Sequence, residues 1–346
     1  MASHESRSPA AYGGPDRLLH HVALGSRAVM ETSFDIERAM FGKSARHAIR
    51  SGPVFVCGLA RAGTSLVTRL LDESGTFASL RYRDMPFPLA PNLWARLSGG
   101  DQRRVPIAER AHGDGMVHDL DTPEAIEEVF WRCFEGDRYI LSDGLAPVTP
   151  RSETMDGYRQ LMELVGLRGG GGRYLAKNNN HVLRLQCLVD AFPDAILIHP
   201  FRHPLTQAGS LLGQHVRTCE LQSNDSFSRS YSAWLVHHEF GVDQRPHLFP
   251  GSPLAQEKRS DLEYWLKCWH SVYGFLLDQA PHVRLRQVFV DYDDLCRRPV
   301  EVLDRLATRI GCPSLNPEAI RDAGSGASAV GDFPLYDALQ MRVSAG

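Results

Sequence analysis

Residues 54–71, Val-Phe-Val-Cys-Gly-Leu-Ala-Arg-Ala-Gly-Thr-Ser-Leu-Val-Thr-Arg-Leu-Leu, decide the fold. Val54–Cys57 is a short apolar run with two β-branched valines, the pattern of a strand buried on both faces. Gly58 and Gly63 bracket a tight loop, where glycine lets the backbone turn sharply and approach a ligand closely. From Gly63 onward the apolar residues fall on a helical spacing. The free N–H groups and positive dipole end of that helix point back at the loop, so an anionic group fits there, with the Thr64 and Ser65 hydroxyls as further donors. In the phosphate-binding loops that handle ATP, a lysine stands at the position of Thr64 and the next hydroxyl binds magnesium. Here the positive charge lies inside the loop, at Arg61. The same residues also read as a plain glycine turn joining a core strand to a core helix, so the choice depends on what else the chain brings to the loop.

The chain has 346 residues, enough to bury a large core in one elaborated α/β domain. With 43% hydrophobic and 23% charged residues it is neither disordered nor fibrous. A formal net charge of −3 argues against a general nucleic-acid binder. The seven cysteines (57, 133, 187, 219, 268, 296 and 312) are scattered, odd in number and form no C-x-x-C pair, which fits free thiols in a reducing cytoplasm. Met1–Asp16 carries no apolar core of a signal peptide, and no apolar run approaches bilayer length. We expect residues 1–17 to be a flexible lead-in and 18–346 to form a single domain.

Outward from the loop, strands alternate with helices. Leu18–Arg50 reads as helical. Phe77–Trp94 reads as irregular, because Pro86, Pro88 and Pro91 break any helix. Residues 98–121 are polar and glycine-bearing, a long loop or lid. Asp121-Thr122-Pro123-Glu124 is a helix start, and Glu124, Glu127 and Glu128 read as first-turn acids on a solvated face rather than as an acid–base set. Gly166–Gly172 is a glycine-rich linker, followed by a strand at Tyr174–Lys177 and a helix at His181–Ala191. Ala195–His199 is the next strand and Leu205–His215 the helix after it. Residues 216–256 resist placement. Glu257–Gln279 is a long amphipathic helix, with Trp265 and Trp269 one turn apart on its core face. Val283–Val290 is a further strand, and Pro299–Ile310 a helix closed by Gly311. The alternation predicts a mostly parallel sheet with helices on both faces and ligands at the carboxyl ends of the strands.

That rule brings Arg202 to the same edge as Arg61, because it follows Ala195–His199 by a few residues. Ser210 lies about two helical turns beyond it and Gln214 one turn further. Arg202 suits a bidentate phosphate contact or a structural ion pair, and Ser210 offers a hydroxyl. Two anion pockets on one face follow. No acidic residue ends Ala195–His199, and no His, Cys or carboxylate spacing calls for a metal.

Gly-Leu-Ala-Arg-Ala-Gly-Thr-Ser (58–65) resembles the 5′-phosphosulfate loop of sulfotransferases that use 3′-phosphoadenosine 5′-phosphosulfate (PAPS). Phe-Arg-His-Pro…Ser (201–210) is similar to their 3′-phosphate motif. Leu-Ala-Lys-Asn-Asn-Asn-His (175–181) resembles the segment before it, and Val-Asp-Tyr-Asp-Asp-Leu (290–295) the late Tyr-Glu-Asp-Leu segment. The likeness spans 54–311 as ordered landmarks, closest in style to the bacterial and tyrosylprotein-type branches. It implies an α/β, three-layer P-loop-like fold with a central, mostly parallel sheet, flanking helices and helical or loop insertions. It implies that Ala62, Gly63, Thr64 and Ser65 hold the 5′-phosphosulfate, with Arg61 beside the bridging oxygen. Arg202 and Ser210 would bind the 3′-phosphate, Lys177 would approach the transferred group, and Tyr292 would shape the nucleotide pocket. Adenosine 3′,5′-bisphosphate is then the product, and no metal is needed. A P-loop kinase with a variant loop, or a non-catalytic nucleotide binder of the same fold, is the alternative.

Transfer to a hydroxyl acceptor (glycan, lipid or small molecule) needs a base. Asp84 lies at the interval at which the tyrosylprotein-type branch places a carboxylate, and it reads equally as an ion-pair partner of Arg81 or Arg83. His118 and His112 come next. Arg81, Arg83, Trp94 and the segment 98–121 are candidates for acceptor binding, as are loops within 216–256. No nucleic-acid partner and no integral membrane segment are expected, and a homodimer is compatible with the sequence.

Overall fold

A computed structural model describes residues 12–99, 108–109, 117–118, 125–251, 258–320 and 332–345. Two helices, α1 (Gly14–Gly25) and α2 (Arg27–Ala45), lead into β1 (Val54–Val56) and α3 (Thr64–Asp72). Next come β2 (Phe77–Ala78), a 3-10 turn at Tyr82–Asp84 and α4 (Pro91–Leu97). The short strands β3 (Ala108–Glu109) and β4 (Val117–His118) pair antiparallel. The middle of the chain holds α5 (Glu128–Tyr139), α6 (Ser152–Arg168), β5 (Arg173–Lys177), a 3-10 turn at Asn179–Leu183, α7 (Leu185–Ala191) and β6 (Ile196–Phe201). It continues through α8 (Pro204–Asn224), α9 (Ser226–Trp234), α10 (Leu262–Leu277) and α11 (Pro281–Arg284). β7 (Gln287–Asp291), α12 (Tyr292–Arg297), α13 (Pro299–Ile310) and α14 (Pro334–Ala345) complete it.

Five strands form one sheet in the order β2-β5-β1-β6-β7, and every pair in it is parallel. The period-two alternation of side chains divides the core in two. Val54 and Val56, Leu175, Ile198 and Val290 face α3, α12 and α13. Phe55 and Cys57, Tyr174 and Ala176, Leu197 and Phe289 face the opposite layer, built from α2, α5, α6, α8, α10 and α14. The sequence therefore supports the expected three-layer α/β fold. β1 is flanked by β5 on one side and β6 on the other, so the chain reverses its direction of travel across the sheet there. Such a switch point opens a crevice at the carboxyl end of the central strand.

Several local expectations need correction. Pro91 starts a helix rather than breaking one, since a proline at the first helical position lacks only an N–H that would be unpaired anyway. The helix after β6 runs on to Asn224, not to His215. α6 takes in the first part of the presumed glycine linker, through Arg168, leaving residues 169–172 as the loop. Trp265 and Trp269 are in the core as read.

Candidate functional site

The glycine loop takes its shape from its backbone. Gly58 has φ 145 and Gly63 has φ 88, both in the region that favours glycine. Gly63 is the N-cap of α3, and a Cβ there would run into the Tyr292 ring. Arg61 adopts φ 63, an uncommon conformation for a residue with a side chain. The strand end beneath is tied to β6. The Cys57 N–H donates to the Ile198 carbonyl at 2.9 Å, and His199 Nδ1 reaches the Cys57 carbonyl at 3.0 Å. Because that carbonyl only accepts, Nδ1 carries the proton, and Nε2 is left to accept from the Gln287 amide at 3.3 Å. Burial pushes the His199 pKa down to about 4, so the ring is neutral.

Four strand ends converge on this loop. Lys177 ends β5 in register with Val56, and the next residue, Asn178, donates its N–H to the Val56 carbonyl at 3.0 Å. Arg202 follows β6 and Tyr292 follows β7. The Arg202 guanidinium lies 4.7 Å from the centre of the Tyr292 ring, whose edge abuts Gly63. Arg202 Nε donates to Asp293 at 3.4 Å. Its terminal nitrogens have no further bond among the described residues, so the ion pair occupies only part of the fork. Arg61 Nε donates to Ser210 Oγ at 3.0 Å. The Arg61–Ser210 bond joins the glycine loop to α8, and the Tyr292 ring lies between Gly63 and Arg202. Thr64 is buried at the helix start, and Ala62 is buried beneath the loop.

Gln207 was not anticipated, and it ties this face together. Its side chain is fully buried. Nε2 donates to the Ala60 carbonyl at 2.9 Å and to the Tyr273 hydroxyl at 3.1 Å, while Oε1 accepts from the Arg202 N–H at 3.2 Å and from Trp269 Nε1 at 3.1 Å. One amide therefore spaces the glycine loop from the Arg202 corner. A glutamine in the first turn of a helix gives no sequence signal for this, because Ala60, Trp269 and Tyr273 are distant in the chain. Gln214, left without a role by the sequence, bonds Thr218 and Arg217 on its own helix.

The match to known proteins is now informative. A family model described as the sulfotransferase family matches residues 53–254, more than half of the chain. The chain belongs to the sulfotransferase family. Among solved structures, the sulfotransferase resembles one from Mycobacterium avium at 18% identity, with a TM-score of 0.50, over 97% of this chain and 87% of that one. A sulfotransferase of Mycobacterium tuberculosis aligns at 16% identity and a TM-score of 0.48, over 94% and 84% of the two chains. At 18% identity the likeness to the Mycobacterium avium protein speaks for the fold alone. No curated protein sequence matches.

Elsewhere in this sulfotransferase, Asp84 caps its own turn. Its Oδ2 accepts the Arg81 N–H at 2.8 Å, and its Oδ1 lies 3.9 Å from Arg168 at the end of α6. The Arg81 side chain goes instead to Asp72, at 2.7 Å. Burial lifts the Asp84 pKa to about 6 against the Arg81 N–H and the charges of Arg168, Arg83 and Arg81. His112 lies outside the described residues, and of His118 only the backbone, in β4, is described. Among the described residues no cluster of three or more His, Cys, Asp or Glu side chains is placed to hold a metal, and no helix is long and apolar enough to cross a membrane.

Glu127 and Glu128 overturn the expectation of solvated first-turn acids. Both are fully buried. Glu127 takes the hydroxyls of Tyr174 at 2.6 Å and Tyr158 at 2.8 Å, and its Oε1 lies 2.7 Å from His181 Nε2. Glu128 pairs with Arg184 at 2.7 Å. Asn178 bonds both carboxylates, so the network anchors the residue that follows Lys177.

Proposed function

We propose that the chain transfers a sulfuryl group from PAPS to a hydroxyl acceptor. The observation that carries this reading is the Arg202 corner. A guanidinium with open terminal nitrogens stacked on Tyr292, on the strand edge where Arg61 bonds Ser210, suits a second phosphate beside the one in the glycine loop. ATP has no such second phosphate, and Thr64 in place of the loop lysine disfavours it further. In the transfer, the bond from sulfur to the bridging phosphate oxygen breaks, a bond from the acceptor oxygen to sulfur forms, and the hydroxyl proton passes to a base. Arg61, Lys177 and the N-terminus of α3 are fixed donors for the charge left on the leaving phosphate. Thr64 and Ser65 complete the cradle, with the Ala62 and Gly63 N–H groups. The free thiols suit a reducing cytoplasm.

Calorimetry with adenosine 3′,5′-bisphosphate, AMP and ATP tests the donor. The bisphosphate is expected to bind most tightly. Arg202→Ala should weaken it by about ten- to a hundredfold, the worth of one charge-assisted contact, with little effect on AMP. Preference for ATP, or equal losses for the bisphosphate and AMP, would refute the assignment.

Asp84 is the proposed base, and its raised pKa gives a second handle on it. The folded chain holds this proton more tightly than the unfolded chain does. Stability therefore falls as the pH rises from about 4 through about 6, by up to about 3 kcal/mol for this group. Asp84→Asn removes that loss, so the variant should gain on the wild type in denaturant melts at pH 7.5 relative to pH 4.5. A base role predicts in addition a fall in turnover with unchanged bisphosphate affinity. Unchanged turnover would leave Asp84 a capping residue and move the test to His118.

A further inference from the structure

The carboxyl end of β5 carries a second polar centre that the donor site does not use. Asn179, two residues beyond Lys177, opens the 3-10 turn and is 8% exposed. Its Nδ2 donates to Glu239 Oε1 at 2.8 Å. A carboxylate can only accept, so this bond fixes which way the amide faces. The carbonyl Oδ1 on the same carbon is then presented beside the carboxylate, and it has no hydrogen-bond partner among the described residues. A buried carbonyl oxygen without a partner is costly and rare.

Glu239 reaches this position through a constrained turn. α9 ends at Trp234, and Val236 adopts φ 53, an outlier for a β-branched residue that costs on the order of 1–3 kcal/mol. The turn is pinned on each side. The Val236 carbonyl accepts Asn180 Nδ2 at 3.3 Å, His237 Nε2 lies 3.1 Å from the Ala125 carbonyl, and His247 Nε2 lies 3.2 Å from Asn180 Oδ1. Glu239 retains partial exposure. Burial works to raise its pKa, but His237, the Asn179 amide and its own N–H hold it below the ordinary range, so the carboxylate is ionised at neutral pH. Burial pushes His247 down to about 4 and leaves it neutral.

We infer that Asn179 and Glu239 form the acceptor subsite, and that it selects hydroxyl compounds that are uncharged or cationic, such as polyols and amino-alcohols, over anionic ones. This rests on the sulfotransfer reading above. The subsite offers only acceptor atoms, the Asn179 carbonyl and the Glu239 carboxylate, so its ligand must bring the hydrogens. A ligand hydroxyl other than the reacting one can donate to Asn179 Oδ1 and is then held at the strand end next to Lys177. A carboxylate, sulfate or phosphate on the acceptor would meet the Glu239 charge. The sulfuryl donor and its acceptor are thereby assigned to two neighbouring strand ends, β1 and β5.

The test is a set of labelled-PAPS transfer assays on the full chain with three 4-nitrophenyl glycosides: the neutral galactoside, the cationic glucosaminide and the anionic glucuronide. The neutral and cationic compounds are expected to be turned over, and the glucuronide least. Glu239→Gln keeps the bond to Asn179 but removes the charge, and should raise KM for the glucosaminide about tenfold while changing the galactoside less than about threefold. Asn179→Ala should raise KM for both, and neither variant should change calorimetric affinity for adenosine 3′,5′-bisphosphate. The subsite is overturned by a preference for the glucuronide, by unchanged KM in both variants, or by absence of turnover with all three while the bisphosphate still binds. Failure of the bisphosphate to bind would fall on the donor reading instead.

Discussion

Replacing Arg61 by alanine is expected to lower turnover by about a hundred- to a thousandfold, the usual effect of removing one preorganised donor to developing charge. The side chain leaves a loop residue at φ 63 and is held by Ser210 Oγ at 3.0 Å, so its direction is set before a ligand arrives. Preorganisation of this kind avoids reorienting a flexible cation during the reaction. The backbone conformation supplies the control. Glycine accepts a positive φ without strain, whereas alanine does not. If Arg61 served only the loop's shape, Arg61→Gly would restore activity that Arg61→Ala lacks. A role at the reacting bond predicts that both are equally slow, and that Arg61→Lys recovers part of the rate, because it keeps the charge without the planar fork. Single-turnover rates with saturating PAPS measure this, and circular dichroism melts check the fold. A rate within about threefold of wild type for Arg61→Ala would remove the residue from the transfer step.

Much of the glycine-loop face is legible in the sequence, because its determinants are local. Gly58, Arg61 and Gly63 declare their turn through backbone conformation, and Arg202 and Tyr292 declare theirs by standing just past apolar strands. Gln207, Tyr273 and Asp293 are illegible for the opposite reason. Their partners lie across the fold, as when Gln207 reaches Ala60, and no spacing encodes such a contact. Glu127 and Glu128 mislead outright. Acids at the start of a helix look the same whether the helix end meets water or docks on a strand end, and only the tertiary partners Tyr158, Tyr174, His181 and Arg184 separate the cases. The second half of α8 fails differently. Thr218, Ser223 and Asn224 are poor helix formers, yet each returns a side-chain hydrogen bond to the carbonyl four residues back, and α8 packs against α9 and α10. Local propensity loses there to packing.

Glu127→Ala is expected to destabilise the protein by about 3–5 kcal/mol, the cost of removing one partner from a buried charged pair. The loss has several parts. The Tyr158 and Tyr174 hydroxyls and Trp131 Nε1 would each lose an acceptor inside the core, and His181 Nε2 would lose the carboxylate oxygen 2.7 Å from it. Each orphaned donor carries a desolvation penalty. Glu127→Gln keeps one acceptor oxygen but turns an amide N–H toward groups that themselves donate, so it should recover only part of the loss. The pH dependence gives an independent sign. Burial alone would raise the Glu127 pKa, but His181 and the two tyrosine hydroxyls pull it down to about 2, below the unfolded value. Its contribution is therefore complete above about pH 4.5 and is lost as the pH falls toward 2, so the wild type should lose stability over that window while Glu127→Ala loses less. Because Asn178 binds Glu127 and also the Val56 carbonyl, the same substitution loosens the strand end that carries Lys177. At temperatures where Glu127→Ala remains folded, it should still transfer sulfuryl groups more slowly than the wild type. Denaturant melts at pH 3 and pH 7.5 measure the first effect. A cost below about 1 kcal/mol at pH 7.5 would mean that the network is not held by this carboxylate.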